Sequence, residues 1–189
     1  MYLFFDTETT GLPRNWKAPV TDLNNWPRLV QIAWLLYDND GNLHGNKDFI
    51  IKPNGFKIPK NVTALHGITH ERAVSEGSEL SFVLNEFAEL VEQADFLAAH
   101  NMSFDEKIVG AEFLRMKMKN FLADKKRLCT MKSSAELCAI PGPYGYKWPK
   151  LPELYKKLFD EKIEDYHNAA MDIKATARCF WDMRKRGLI

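Results

Sequence analysis

Two carboxylates one residue apart, Asp6 and Glu8, lie in the stretch FFDTETTGL near the start of the chain. The apolar run Tyr2-Leu3-Phe4-Phe5 before them reads as a buried strand. Alternate residues of a strand project to one face, so Asp6 and Glu8 point the same way. Two carboxylates on one largely buried face lose hydration and repel each other, and a divalent cation between them relieves both costs. Gly11 then turns the chain. Taken alone, the pair is explained equally well as a polar strand end running into a turn.

Two further acids stand on helix patterns. In AHNMSFDEKIV (99–109), Asp105 falls on the stripe of Val109, Phe113 and Met116. A carboxylate in line with a core face needs a partner, although a helix-start Asp is also favoured by the macrodipole. In HNAAMDIKAT (167–176), Asp172 shares a small, apolar face with Ala169, Thr176, Cys179 and Met183. His167 is five residues earlier, about 140° away on an ideal helix. It belongs to the lead-in, before or at the first turn, if both serve one site.

The positioning elements follow from periodicity. Residues 2–8, Leu29 to Tyr37 and 44–52 read as three strands, and Asn39-Asp40-Gly41-Asn42 is a turn signal, which suggests an antiparallel meander. The loop 13–27, with Trp16 and Trp26, leaves directly from the first acidic motif and is placed to wall a site. Leu80, Val83, Leu84, Phe87, Leu90 and Val91 predict an amphipathic helix over 78–93. A short strand at Phe96 to Ala99 follows. Ser103 and Glu106 then form a candidate capping box for a helix running to about Met118. Leu128-Cys129 reads as a fifth strand, 139–150 as a loop, 151–159 as a short helix and 168–186 as a long final one. The expected architecture is α/β, a mixed five-stranded sheet with helices on both faces, in a single domain over 1–189.

Bulk properties bound the reading. The chain has 189 residues, 46% hydrophobic and 27% charged, with a net charge of +1, so no global basic field marks it as a nucleic-acid binder. A local groove is compatible with that balance, because clustered acids mask basic groups. Three widely spaced cysteines, Cys129, Cys138 and Cys179, suggest free thiols in a reducing compartment. His66 and His70 lack the partners of a zinc set. No secretory leader or membrane span is legible, so the expected location is the cytoplasm.

The three acidic motifs together are specific. With WPRLVQIAWLLYD (26–38), IPKNVTALHGIT (58–69) and LPELYKKL (151–158), nearly the whole chain resembles the DEDDh 3′→5′ exonucleases, the DnaQ-like group that includes the proofreading ε subunit of bacterial DNA polymerase III. The resemblance implies a ribonuclease H-like fold. It implies Asp6, Glu8, Asp105 and Asp172 as ligands of two divalent ions, Mg²⁺ or Mn²⁺, with Asp6 bridging, and His167 as the general base for the attacking water. All five residues are present. It further points to the backbone near Thr7 to Thr10, Thr9 among them, and to His66 at the terminal sugar or its hydroxyl, while Leu12 and Phe104 flank the motifs as candidates for wedging or stacking bases.

The expected activity is release of nucleoside 5′-monophosphates from nucleic acid 3′ ends, with DNA ahead of RNA. Alternatives are an RNA-processing 3′ exoribonuclease, an endonuclease of the same broad fold, and a non-catalytic binding module. The chain ends soon after its last helix, without an extension that would tether it to a polymerase. A stand-alone enzyme, a proofreader bound by its surface, and a homodimer are all compatible with that.

Overall fold

The computed structural model describes residues 1–163 and 168–189. Five strands form one sheet: β1 (Tyr2–Thr9), β2 (Leu29–Tyr37), β3 (Leu43–Ile50), β4 (Phe96–Ala99) and β5 (Lys126–Cys129). Their order is β3-β2-β1-β4-β5, so the strand carrying Asp6 and Glu8 is central. β1 runs antiparallel to β2 and parallel to β4, and β4 is parallel to β5. The C-terminal ends of β1, β4 and β5 therefore open on one edge of the sheet.

Among the described residues, the remaining elements are helical except for one small hairpin. Short helices α1 (Lys60–His66) and α2 (His70–Glu76) precede α3 (Leu80–Gln93). Next come α4 (Met102–Arg115), the single turns α5 (Thr130–Ser133) and α6 (Ala135–Cys138), α7 (Leu151–Phe159) and α8 (Ala169–Lys185). Between α6 and α7, β6 (Pro141–Gly142) pairs with β7 (Gly145–Tyr146).

Side-chain alternation on β1 sorts the molecule into layers. Leu3 and Phe5 pack on one face with Val83, Leu84 and Phe87 of α3 and Ile108, Val109 and Phe113 of α4. Tyr2 and Phe4 pack on the other with Ala169, Ile173, Ala177 and Phe180 of α8. Each buried ring contributes roughly 1.5–3 kcal/mol of transfer free energy. Helix α7 lays Leu151, Leu154 and Leu158 against Ala175, Cys179 and Met183 of α8. By this parity Thr7 faces the α4 layer, whereas Asp6 and Glu8 face the α8 layer.

Several local expectations are corrected. The capping box does not form. The N-cap of α4 is Asn101, held in the left-handed region at φ 80°, and the Ser103 hydroxyl donates to its side-chain oxygen. Glu106 is drawn instead to Arg127, next to the start of β5. Helix α4 stops at Arg115 rather than near Met118, with Lys117 at φ 57° just beyond, and Met116 is exposed. The stretch 139–150 contains the β6–β7 hairpin. Helices α1 and α2, both short, are too brief for periodicity to define.

Candidate active site

Three elements converge at the C-terminal edge of the parallel strands. Asp6 and Glu8 come from β1, where the register with β2 shifts between Glu8 and Thr9. Asp172 comes from the first turn of α8. One carboxylate oxygen from each of Asp6, Glu8 and Asp172 lies within 4.8 Å of the other two. Asp105, in the first turn of α4, approaches from the opposite layer. Its Oδ1 accepts the Thr7 hydroxyl at 2.8 Å and the Thr7 backbone N–H at 3.1 Å.

The helix starts are fixed by polar contacts. Asn168 caps α8, its side-chain oxygen accepting from the Ala170 and Met171 N–H groups. The Gln31 side chain accepts from Ala169 N–H at 3.4 Å and donates to Asp48 at 2.8 Å. Gln31 is the β2 partner of Glu8, so one pairing joins the acidic strand to the helix that brings Asp172. On the other side, the fully buried carboxylate of Glu112 accepts from Arg28 Nε at 2.8 Å and Leu29 N–H at 3.0 Å, and pairs with Arg115 at 3.0 Å. Arg28 in turn exchanges bonds with Thr10, whose hydroxyl accepts its N–H and whose N–H donates to its carbonyl.

The acids raise one another's proton affinity. Burial first, then the charges of Asp105, Asp172 and Glu8, hold Asp6 well above the ordinary carboxylate range. Burial, then Asp172 and Asp105, push Glu8 up to about 8. Burial pushes Asp105 up to about 7 despite the opposing hydrogen bonds from Thr7. The charges that raise Asp6 and Glu8 are those of neighbouring carboxylates. An all-oxygen, anionic donor set of this kind fits a hard divalent cation.

The other sequence-predicted residues are placed as follows. Thr9 is buried, and its hydroxyl donates to the Gly11 carbonyl at 2.6 Å. Leu12 is 72% exposed at the turn after β1. Phe104 is half-buried at the start of α4, 5.6 Å from the ring of Trp16, which is itself exposed. His66 is buried at the end of α1, with Nδ1 accepting from Ile68 N–H at 3.1 Å. His167 lies outside the described residues. Sequence reasoning named Thr7 only within the backbone stretch at the terminal sugar, not as the partner of Asp105, and did not single out Gln31 or Glu112. Thr7 stands inside the D-x-E motif and Gln31 opposite it in the strand pairing, whereas Glu112 is two turns after Asp105 on one α4 stripe.

A mixed sheet of this order, flanked by helices on both faces, is the ribonuclease H-like fold that the sequence resemblance implied. Residues 3–180 match the family model described as exonuclease (RNase_T), and the chain belongs to that family. It is 29% identical over 187 residues to a PolC-type DNA polymerase III from Listeria innocua, covering 97% of this chain and 11% of that one. Among solved structures, E. coli Exonuclease I in complex with a dT13 oligonucleotide aligns at a TM-score of 0.77 and 20% identity, over 98% of this chain and 41% of that one. The zinc-bound form of the E. coli Exonuclease I–single-stranded DNA complex aligns at 0.75 and 22%, over 98% and 40%. The chain thus spans about a ninth of the length of the polymerase relatives and about two-fifths of the solved nucleases. No helix among the described residues is long and apolar enough to cross a membrane.

Proposed function

We propose that this chain is a metal-dependent 3′→5′ exonuclease that releases nucleoside 5′-monophosphates from single-stranded DNA ends. The observation that carries this reading is the meeting of Asp6, Glu8 and Asp172 oxygens within 4.8 Å of one another. Family membership and the likeness to Exonuclease I, solved with oligonucleotides, support the same reaction. The relation to PolC-type polymerases suits work beside a DNA polymerase, and the free thiols suit a reducing cytoplasm.

Asp6, Glu8 and Asp172, joined by Asp105, are the residues that would hold the divalent ions. When bound, a pair of hard cations, Mg²⁺ or Mn²⁺, offsets the charge of the phosphodiester, eases loss of a proton from water and stabilises the departing 3′ oxygen. The protein's own work is positioning. Thr7 fixes the Asp105 oxygen from two donors, and Gln31 with Asn168 fixes the helix start that carries Asp172. His167 is assigned as the base that takes the proton of the attacking water. Leu12 and the Trp16–Phe104 pair offer apolar surface on which the terminal base can stack. Thr9 and His66 are assigned to the terminal sugar.

The deciding experiment compares 3′-labelled and 5′-labelled single-stranded DNA, RNA and mismatched duplex, with and without Mg²⁺ or Mn²⁺. The expected result is metal-dependent release of mononucleotides from the 3′ end of DNA, lost in Asp6→Ala. Cleavage of circular or 3′-blocked DNA would overturn the reading.

A further inference from the structure

The β6–β7 hairpin and the two residues after it expose three aromatic rings within five residues. Tyr144 is fully exposed, Tyr146 is 51% exposed and Trp148 is 59% exposed. Rings left in water at such density lose burial free energy and imply something that covers them. The surrounding charge is basic. The Lys132 ammonium stands 5.4 Å from the Trp148 ring, and Lys147 and Lys150 flank it in sequence. Glu153, an acid beside this group, is engaged by the Lys147 ammonium at 2.6 Å and the Lys150 backbone N–H at 2.7 Å.

The hairpin is anchored at the edge where the acids converge. His100 directly follows β4 and precedes Asn101, the N-cap of the helix bearing Asp105. Its Nε2 donates to the Pro149 carbonyl at 3.0 Å, which ties the residue after Trp148 to that edge. Its Nδ1 accepts from the Thr130 hydroxyl at 3.0 Å, just past the end of β5. Lys147 N–H closes the hairpin on the Ile140 carbonyl at 2.9 Å. Helix α7, which begins two residues after Pro149, packs on α8, the helix of Asp172.

We infer that this hairpin is a stacking platform for single-stranded nucleic acid, holding the strand several nucleotides away from the end being cut. The inference rests on the exonuclease reading for its polarity. Aromatic faces accept any base, and the Lys132 and Lys150 ammonium groups can donate to phosphate oxygens, so the platform is sequence-tolerant. Single-stranded nucleic acid is the occupant because rings interleaved with lysines match stacked bases joined by anions.

The test uses Tyr146→Ala/Trp148→Ala, with Tyr144→Ala as a second variant whose fully exposed ring removes no packing. Affinity for a fluorescent oligo-dT of about 12 nucleotides is measured by anisotropy in EDTA, within the site sizes typical of such grooves. Hydrolysis with a divalent ion is measured on that oligomer and on thymidine 5′-(p-nitrophenyl phosphate), which is too short to reach the platform. The expected result is roughly tenfold weaker binding and a similar rise in KM for the oligomer, with kcat and the minimal substrate unchanged. Unchanged oligomer affinity, equal losses on both substrates, or a changed oligomeric state alone would overturn the platform. A wild-type chain that hydrolyses neither substrate would sink the nuclease reading, while the anisotropy arm would still decide the platform.

Discussion

Thr7 gives both its backbone N–H and its hydroxyl to a single oxygen of Asp105, across 98 residues of sequence and from the opposite side of the strand to Asp6 and Glu8. Strand parity alone would leave Asp105 in the other helical layer. The paired donors draw it to the strand end and fix which oxygen is left for a ligand.

Thr7→Val keeps the backbone donor and the β-branched shape but deletes the hydroxyl. If Asp105 holds a metal ion as proposed, activity is expected to fall about ten- to a hundredfold, the usual cost of losing a group that orients a ligand, with Thr7→Ser restoring most of it. The check is 3′-end hydrolysis across a Mg²⁺ titration. An unchanged Mg²⁺ optimum and rate in Thr7→Val would show that the contact is idle.

The metal-free acid cluster sets a pH dependence of stability. Folded Glu8 at about 8 and Asp105 at about 7 lie above their unfolded values, and Asp6 is raised as well. Raised carboxyl groups bind protons more tightly in the fold, so their contribution is complete below the unfolded range and is lost as pH climbs through the folded values. In EDTA, this linkage is expected to lower Tm from about pH 4, the unfolded range, to about pH 8, above which it adds no further loss. Asp6→Asn should flatten the fall and abolish hydrolysis. Added Mg²⁺ should restore the wild type at high pH and leave the variant unmoved.

His100 works in the opposite sense. Burial lowers it to about 4, and it is neutral between Thr130 and Pro149. A histidine depressed below its unfolded value contributes stability above about pH 6.5 and loses it as pH falls towards the folded value. The difference in unfolding free energy between wild type and His100→Gln is expected to shrink by up to about 3 kcal/mol between about pH 7 and pH 4. Urea titrations at several pH values measure it, and a pH-independent difference would refute the assignment.

Glu112 joins Arg28, Arg115 and the Leu29 N–H inside the protein. Removing its charge strands two guanidinium groups against a neutral amide. Glu112→Gln is expected to cost about 3 kcal/mol by denaturant unfolding. A loss within experimental error would mean that water or a shifted Arg28 takes over the contacts.

Much of this was legible from local pattern. The apolar run Leu29–Tyr37 appears as a strand with the expected bounds, because a strand buried along its length reads as a continuous apolar run. The Asp172 stripe was legible because Ala169, Thr176, Cys179 and Met183 are all buried, as helical spacing required. The helix start near Asp105 was misread because Asn101 adopts a left-handed conformation and Arg127 competes for Glu106, and neither is encoded within a few residues. The Thr7–Asp105 bond and the Gln31 tie depend on strand register and layer order, which periodicity does not contain. The hairpin was hidden because each of its strands has only two residues.

The central strand also has a mechanical consequence. Its acidic residues face one helical layer while Asp105 is borrowed from the other, so β1 acts as a fulcrum between two slabs. A slip of either slab along the sheet would part Asp105 from Asp172 without breaking a single strand pairing. Heating is therefore expected to extinguish hydrolysis several degrees before the far-ultraviolet circular dichroism melts, a gap that simultaneous activity and dichroism scans would reveal or exclude.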